Sequence, residues 1–293
     1  MVQAAVGPRD GLQNECKIVP AETKVELIRR LIDSGIRNIE AVSFVNPKVV
    51  PPMADAEDVL NSLPKRNGVR YGGLVLSRSG LERALQTDVD YLHVVTTTSD
   101  SFNLRNAKRT VEQAVGELSS VIRDGTASGK GVAGVLGTAF GCPFEGEVPM
   151  GNVLKAAEKF LDAGCTEITL ADTTCMANPI QVQKMADSFF DTFGKDLSLG
   201  LHFHNTRGLG LANVLAGYQA GVRRFDSSIA GLGGCPFAPK AVGNVCTEDM
   251  INMFHGMGVG TGAGLPSVLE TAKWMETVME RPLDGMLMKA GIA

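Results

Sequence analysis

Eight short apolar segments, each followed by a helical pattern, recur between residues 2 and 229 of this 293-residue chain. The segments at 2–6, 38–43, 69–76, 91–96, 132–139, 167–171, 198–205 and 224–229 read as strands. Those at 21–34, 54–63, 81–87, 111–128, 152–163, 179–193 and 209–220 read as helices. In the first helix Val25, Leu27, Ile28, Leu31 and Ile32 form one apolar stripe, and Gly35 closes it. Strands joined through helices run parallel, which leaves a closed (β/α)8 barrel or an open doubly wound sheet. Eight units in about 230 residues suit the barrel, which usually takes about 250. The open sheet is the runner-up, and its Gly-rich nucleotide turn is missing: GPRDGLQ follows the first strand, not GxGxxG. The expected fold class is therefore α/β, a TIM barrel over about 1–230. A cysteine-bearing loop and C-terminal helices (231–293) follow within the same single catalytic domain.

A barrel gathers the C-terminal ends of its strands on one face, where catalytic side chains sit. In SLGLHFHN (198–205), Leu199, Leu201 and Phe203 alternate with Gly200, His202 and His204. Residues two apart on a strand share a face, so half of the chain's four histidines stand side by side. A lone histidine would more plausibly pack or cap, but a same-face pair favours a metal site. The first strand ends in RDG. Arg9 and Asp10 would be a surface ion pair elsewhere, but here they suit an oxyanion clamp and a metal ligand. Glu40, in an apolar second strand, needs a cationic partner, and Arg9 is the candidate. Asp172 at the end of the sixth strand fits helix capping and catalysis equally. After the eighth strand, GLGGCPF presents Cys235 on a Gly-rich loop, a poor place for packing and a good one for a reactive thiol. The other five cysteines are assigned to packing.

A net charge of −4 with both signs interspersed points away from nucleic acid and anionic membrane surfaces. No apolar run approaches the roughly 18 residues of a membrane span, and MVQAAVGPRDG lacks the basic lead of a signal peptide. Six cysteines without a CxxC pair suit reduced thiols and a cytoplasmic location.

GPRDGLQNE (7–15), IEAVSFVNPK (39–48), GCPFEG (141–146), ADTT (171–174), HFHNT (202–206), GLGGCPFA (231–238) and Gly243-Asn244 together resemble the 3-hydroxy-3-methylglutaryl-CoA (HMG-CoA) lyase family, DRE-TIM metallolyases. The similarity runs almost end to end. The related Claisen-type synthases share the RDG turn and HxH pair but lack the cysteine loop and usually carry C-terminal accessory domains. The resemblance implies a divalent metal, Mg²⁺ or Mn²⁺, held by Asp10, His202, His204 and Asn244. It further implies Arg9 on the carbonyl or enolate oxygen, Glu40 holding Arg9, and Cys235 as acid/base. Asp172 would lie near the substrate's hydroxyl and carboxylate end, with Gln13, Thr173 and Arg207 binding substrate. The implied reaction is retro-Claisen cleavage of an acyl-CoA to acetyl-CoA and acetoacetate, as in leucine degradation and ketone-body formation, by a homo-oligomer, dimer or tetramer.

The chain departs from that pattern at Cys16, Cys175, Asn205, Arg207 and Lys240. Arg207 and Lys240 add positive charge, so a substrate with a carboxylate remote from CoA is expected. A paralogue acting on another 3-hydroxy-3-alkylacyl-CoA stays open, as does a Claisen-type synthase. A non-catalytic binder would be expected to lose a ligand or Cys235, and neither is lost. Arg105 and Lys108 are the candidates for contacting CoA itself.

Overall fold

The computed structural model describes residues 2–234 and 243–292. Its strands β1 (Val2–Ala5), β2 (Asn38–Ser43), β3 (Arg70–Val75), β4 (Tyr91–Thr97), β5 (Gly131–Gly137), β6 (Glu167–Asp172), β7 (Ser198–Phe203) and β8 (Arg224–Ser227) are all parallel. They form one closed barrel in sequence order, sealed where β1 pairs with β8 through Ala4↔Asp226 and Ala5↔Ser227. The chain is thus a TIM barrel, and the open-sheet alternative falls. Cys235 and Lys240 lie outside the described residues.

The helices are α1 (Ala21–Asp33), α2 (Ala56–Ser62), α3 (Arg78–Ala84), α4 (Asp100–Ala107), α5 (Val111–Ala127), α6 (Met150–Asp162), α7 (Pro179–Phe193), α8 (Gly210–Gln219), α9 (Thr247–Gly256), α10 (Leu265–Met279) and α11 (Met286–Ala290). Local chemistry explains their starts. Thr110 and Gln113 form a reciprocal capping box on α5, and Asn178 caps α7 ahead of Pro179. The apolar stripe of α1 is buried, each aliphatic side chain contributing about 1.5–3 kcal/mol. Lys24 lies on the same buried face because its ammonium reaches Asp55 (2.6 Å) and the Pro52 carbonyl (2.6 Å), tying α1 to the start of α2. Phe254 of α9 packs on Tyr218 of α8 and Phe225 of β8, so α9 fills the eighth outer position. α10 lies against α1, where Arg30 stacks on Trp274 at 4.6 Å.

α4 and α11 go beyond the sequence expectations. α4, DSFNLRNA, has a weak apolar pattern with only Phe102 and Asn103 buried, so periodicity does not mark it as a helix. Ser99 caps it, and it lies across the mouth of the barrel with Phe102, Asn103, Asn106 and Ala107 facing the central cavity.

Candidate active site

Strand phase decides which side chains meet inside the barrel. On β7 Leu199, Leu201 and Phe203 are buried in the apolar core, while His202 and, one residue past the strand's end, His204 face the cavity. Their ring centroids lie 5.1 Å apart. Asp10 reaches them from a π-helical turn, Gly7–Gly11, in which the amides of Arg9, Asp10 and Gly11 all converge on the Val6 carbonyl. One Asp10 oxygen lies 3.9 Å from His202 Nε2 and 4.0 Å from His204 Nε2, and the three ligand atoms fall within 4.8 Å of one another. Asn244 is joined to His204 by an antiparallel bridge and donates its amide to the same Asp10 oxygen at 2.7 Å. A second amide hydrogen goes to the Leu232 carbonyl at 3.0 Å. Gly233 permits this approach: its φ is +109°, and a Cβ there would lie 2.4 Å from the Asn244 nitrogen.

The donor set fits a divalent cation. Buried Asn244 Oδ1 has no protein partner, and neither has His204 Nδ1. Burial favours neutral Asp10, but Arg9 and then the two imidazoles outweigh it and hold the carboxyl well below its ordinary range. Burial, then the neighbouring His202, lowers His204 to about 4, leaving a neutral ring with a free lone pair at neutral pH. For His202 burial is outweighed by Asp226 and Asp10, which raise its pKa. The β7–β8 register sets His202 beside Asp226, 3.3 Å from His202 Nδ1, an orienting carboxylate of the kind that fixes ligating histidines.

Arg9 bridges Asp10 (2.7 Å) and Glu40 (2.6 Å), the pairing expected for a carboxylate in an apolar strand. Gln13 and Thr173 line the same cavity of about 640 Å³. Two other positions differ from expectation. Ala171 and Thr173 of the sixth-strand segment face the cavity, so Asp172 points to the other face. Its carboxylate instead accepts the Met176 (2.8 Å) and Ala177 (3.0 Å) amides, bracing the turn before α7. Burial raises its pKa against those bonds. Arg207 does not line the cavity either. Its guanidinium donates to the Thr174 and Cys175 carbonyls, both at 2.8 Å, and ties the β7 loop to that same turn. Cys175 there adopts φ +57°, a left-handed backbone conformation that favours glycine. Of the five cysteines assigned to packing, Cys16 is exposed.

The inward side chains that the sequence reading does not assign include His93, Asp226 and Arg224. Arg224 lies on the barrel floor, paired with Glu167 and donating to Thr169 Oγ1 at 2.8 Å. Extending the period-2 reading along β4 and β8 would have flagged all three.

A TIM barrel with one carboxylate and two imidazoles on its catalytic face, an arginine beside them and a deep cavity above defines a metal-competent barrel enzyme. The HMGL-like family model matches residues 3–275, and the chain belongs to that family of lyases. It is similar to (R)-citramalyl-CoA lyase of Chloroflexus aurantiacus, at 40% identity over 98% of this chain and 93% of that one. It is 38% identical to hydroxymethylglutaryl-CoA lyase YngG of Bacillus subtilis, over 95% and 93% of the two chains. An HMG-CoA lyase from Acinetobacter baumannii, solved with coenzyme A and 3-methylmalate, superposes with a TM-score of 0.94 at 40% identity, covering 99% and 94%.

Proposed function

We propose that this enzyme cleaves a 3-hydroxy-3-methylglutaryl-CoA-like thioester to acetyl-CoA and acetoacetate, using Mg²⁺ or Mn²⁺. The observation that carries the reading is the convergence of Asp10, His202 and His204 beside Arg9 at the base of an acyl-sized cavity. Two imidazoles, a carboxylate and an amide oxygen form a mixed N/O set that suits these ions when sites remain for substrate oxygens. Bound there, the cation would acidify the substrate hydroxyl and stabilise the resulting alkoxide.

The protein's own groups do the rest. Collapse of the alkoxide to a ketone breaks the C2–C3 bond and moves its electron pair into a thioester enolate. Arg9, held by Asp10 and Glu40, presents a fixed positive charge to the developing oxyanion, a contact worth roughly 3–4 kcal/mol. Cys235 is assigned the proton for the enolate carbon, and the thiolate left behind takes up the proton equivalent that the hydroxyl gave up, so the cycle closes without net proton change. Gly234, immediately before it in sequence, lines the cavity. The CoA arm is assigned to the mouth between α4 and the β2–α2 loop, where Val49, Val50, Leu76 and Ala107 give an apolar lining. Arg105 of α4 stacks on Phe144 at 4.2 Å near that mouth.

A second reading is cleavage of citramalyl-CoA to acetyl-CoA and pyruvate, favoured by the 40% identity to a citramalyl-CoA lyase. Both substrates carry a tertiary hydroxyl and a carboxylate and differ by one methylene. The deciding experiment incubates the Mn²⁺-loaded enzyme with each thioester and identifies the keto acid by mass. Acetoacetate supports the first reading and pyruvate the second. Absence of acetyl-CoA from both incubations overturns both readings.

A further inference from the structure

The Glu40 carboxylate is pinned at both oxygens. Oε2 accepts from Arg9 at 2.6 Å, and Oε1 meets His93 Nδ1 at 2.8 Å. Glu40 is 2% exposed, yet Arg9 and His93 overcome its burial and hold its pKa at about 2. A carboxylate has no hydrogen to give, so Nδ1 carries it, and His93 is the donor. The imidazole has room because β3 carries Gly72 opposite it, where a Cβ would come within 3.0 Å of the ring. Tyr91 meets the ring edge-on at 5.8 Å. Arg9 itself is committed at both ends, one nitrogen to Asp10 and one to Glu40, so the direction of its guanidinium follows the plane of the Glu40 carboxylate.

We propose that His93 is a positioning residue for Arg9: its Nδ1–H fixes the Glu40 carboxylate, which in turn fixes the direction in which the guanidinium meets the substrate oxyanion. The inference rests on the lyase reading for its kinetic consequence but not for its structural one. Removing the donor leaves Glu40 Oε1 buried and unpaired. The carboxylate then turns toward Arg9, and the guanidinium loses its orientation.

Asparagine and leucine have nearly the same shape, and asparagine Nδ2 can occupy the place of His93 Nδ1. His93→Asn and His93→Leu therefore lose the same ring packing and differ only in the donor. With Mn²⁺-loaded enzyme, His93→Asn is expected to keep kcat within about threefold of wild type. His93→Leu is expected to lose tenfold or more, the usual cost of removing an orienting partner, with KM within about twofold. A merely structural role would move both variants alike, and equal kcat values for the two overturn the proposal. A kcat for His93→Asn below a tenth of wild type also overturns it, whether or not His93→Leu folds. If His93→Leu does not fold, His93→Val takes its place. A second measurement needs no turnover: ¹⁵N spectra of arginine-labelled protein, with the Arg9 signals identified by their loss in Arg9→Lys. Wild type and His93→Asn are expected to show separate, narrow Arg9 Nη–H signals, and His93→Leu averaged ones. Narrow signals in all three overturn the proposal. An absence of turnover in wild type bears only on the lyase reading, because the spectra decide the positioning role.

Discussion

Asn244 donates its amide to the Asp10 carboxylate at 2.7 Å, joining residues 234 positions apart. The same side chain leaves Oδ1 buried without a partner. The amide therefore braces Asp10 and leaves its own oxygen open to the proposed cation. Asn244→Ala removes both and is expected to weaken Mn²⁺ binding about 10–100-fold while the barrel still melts cooperatively. Calorimetric titration and a thermal melt check the two halves separately. Wild-type affinity in Asn244→Ala would restrict Asn244 to a structural role.

Metal dependence is the outcome expected from the donor set. Exhaustive chelation is expected to abolish turnover, and Mg²⁺ or Mn²⁺ to restore it. His204→Ala is expected to lose metal affinity and keep its melting behaviour, because its Nδ1 makes no bond that holds the core. Because Asp226 and Asp10 raise the His202 pKa above its ordinary value, a cation competes with a proton there, and affinity is expected to rise with pH. Full activity in metal-free protein would sink the assignment.

Cys235 carries the assigned proton transfer. Cys235→Ala is expected to bind Mn²⁺ and acyl-CoA and to lose about 10²–10⁴-fold in turnover. Thiol alkylation is expected to inactivate, and a bound substrate analogue to slow it. The measurement belongs in a Cys16→Ser background, since Cys16 is the exposed thiol among the described residues. Near-normal turnover in Cys235→Ala would rule out its acid/base role.

Glu248 gives stability a pH dependence. It is 0% exposed in the first turn of α9, one oxygen accepting the Ala230 amide at 3.0 Å and the other unpartnered against Gly285. Burial, assisted by Asp249, pushes its pKa up to about 8. A pKa above the unfolded value means that the stabilisation is complete below about pH 4.5 and is lost as pH rises through about 8. Glu248→Gln cannot ionise. It is expected to exceed wild type in stability at pH 9 by roughly 2–5 kcal/mol, at about 1.4 kcal/mol per pKa unit. Denaturant melts at pH 5, 7 and 9 test this, and parallel lines for the two proteins would refute it.

The alternation of eight strands with helices, the shared face of His202 and His204 and the RDG turn were legible in the chain because each depends on backbone periodicity or neighbouring residues. The pairing of Arg9 with Glu40 was also legible, since a carboxylate in an apolar strand demands a cation. Closure of the barrel decided the rest. It brought Asn244 to Asp10, set Asp226 beside His202 by cross-strand register, and placed His93 against Glu40. It also turned Asp172 onto backbone amides and drew Arg207 to the Thr174 and Cys175 carbonyls. Those outcomes depend on which face each strand presents and on what lies across the barrel, quantities set by register between distant segments and not by any local stretch of sequence.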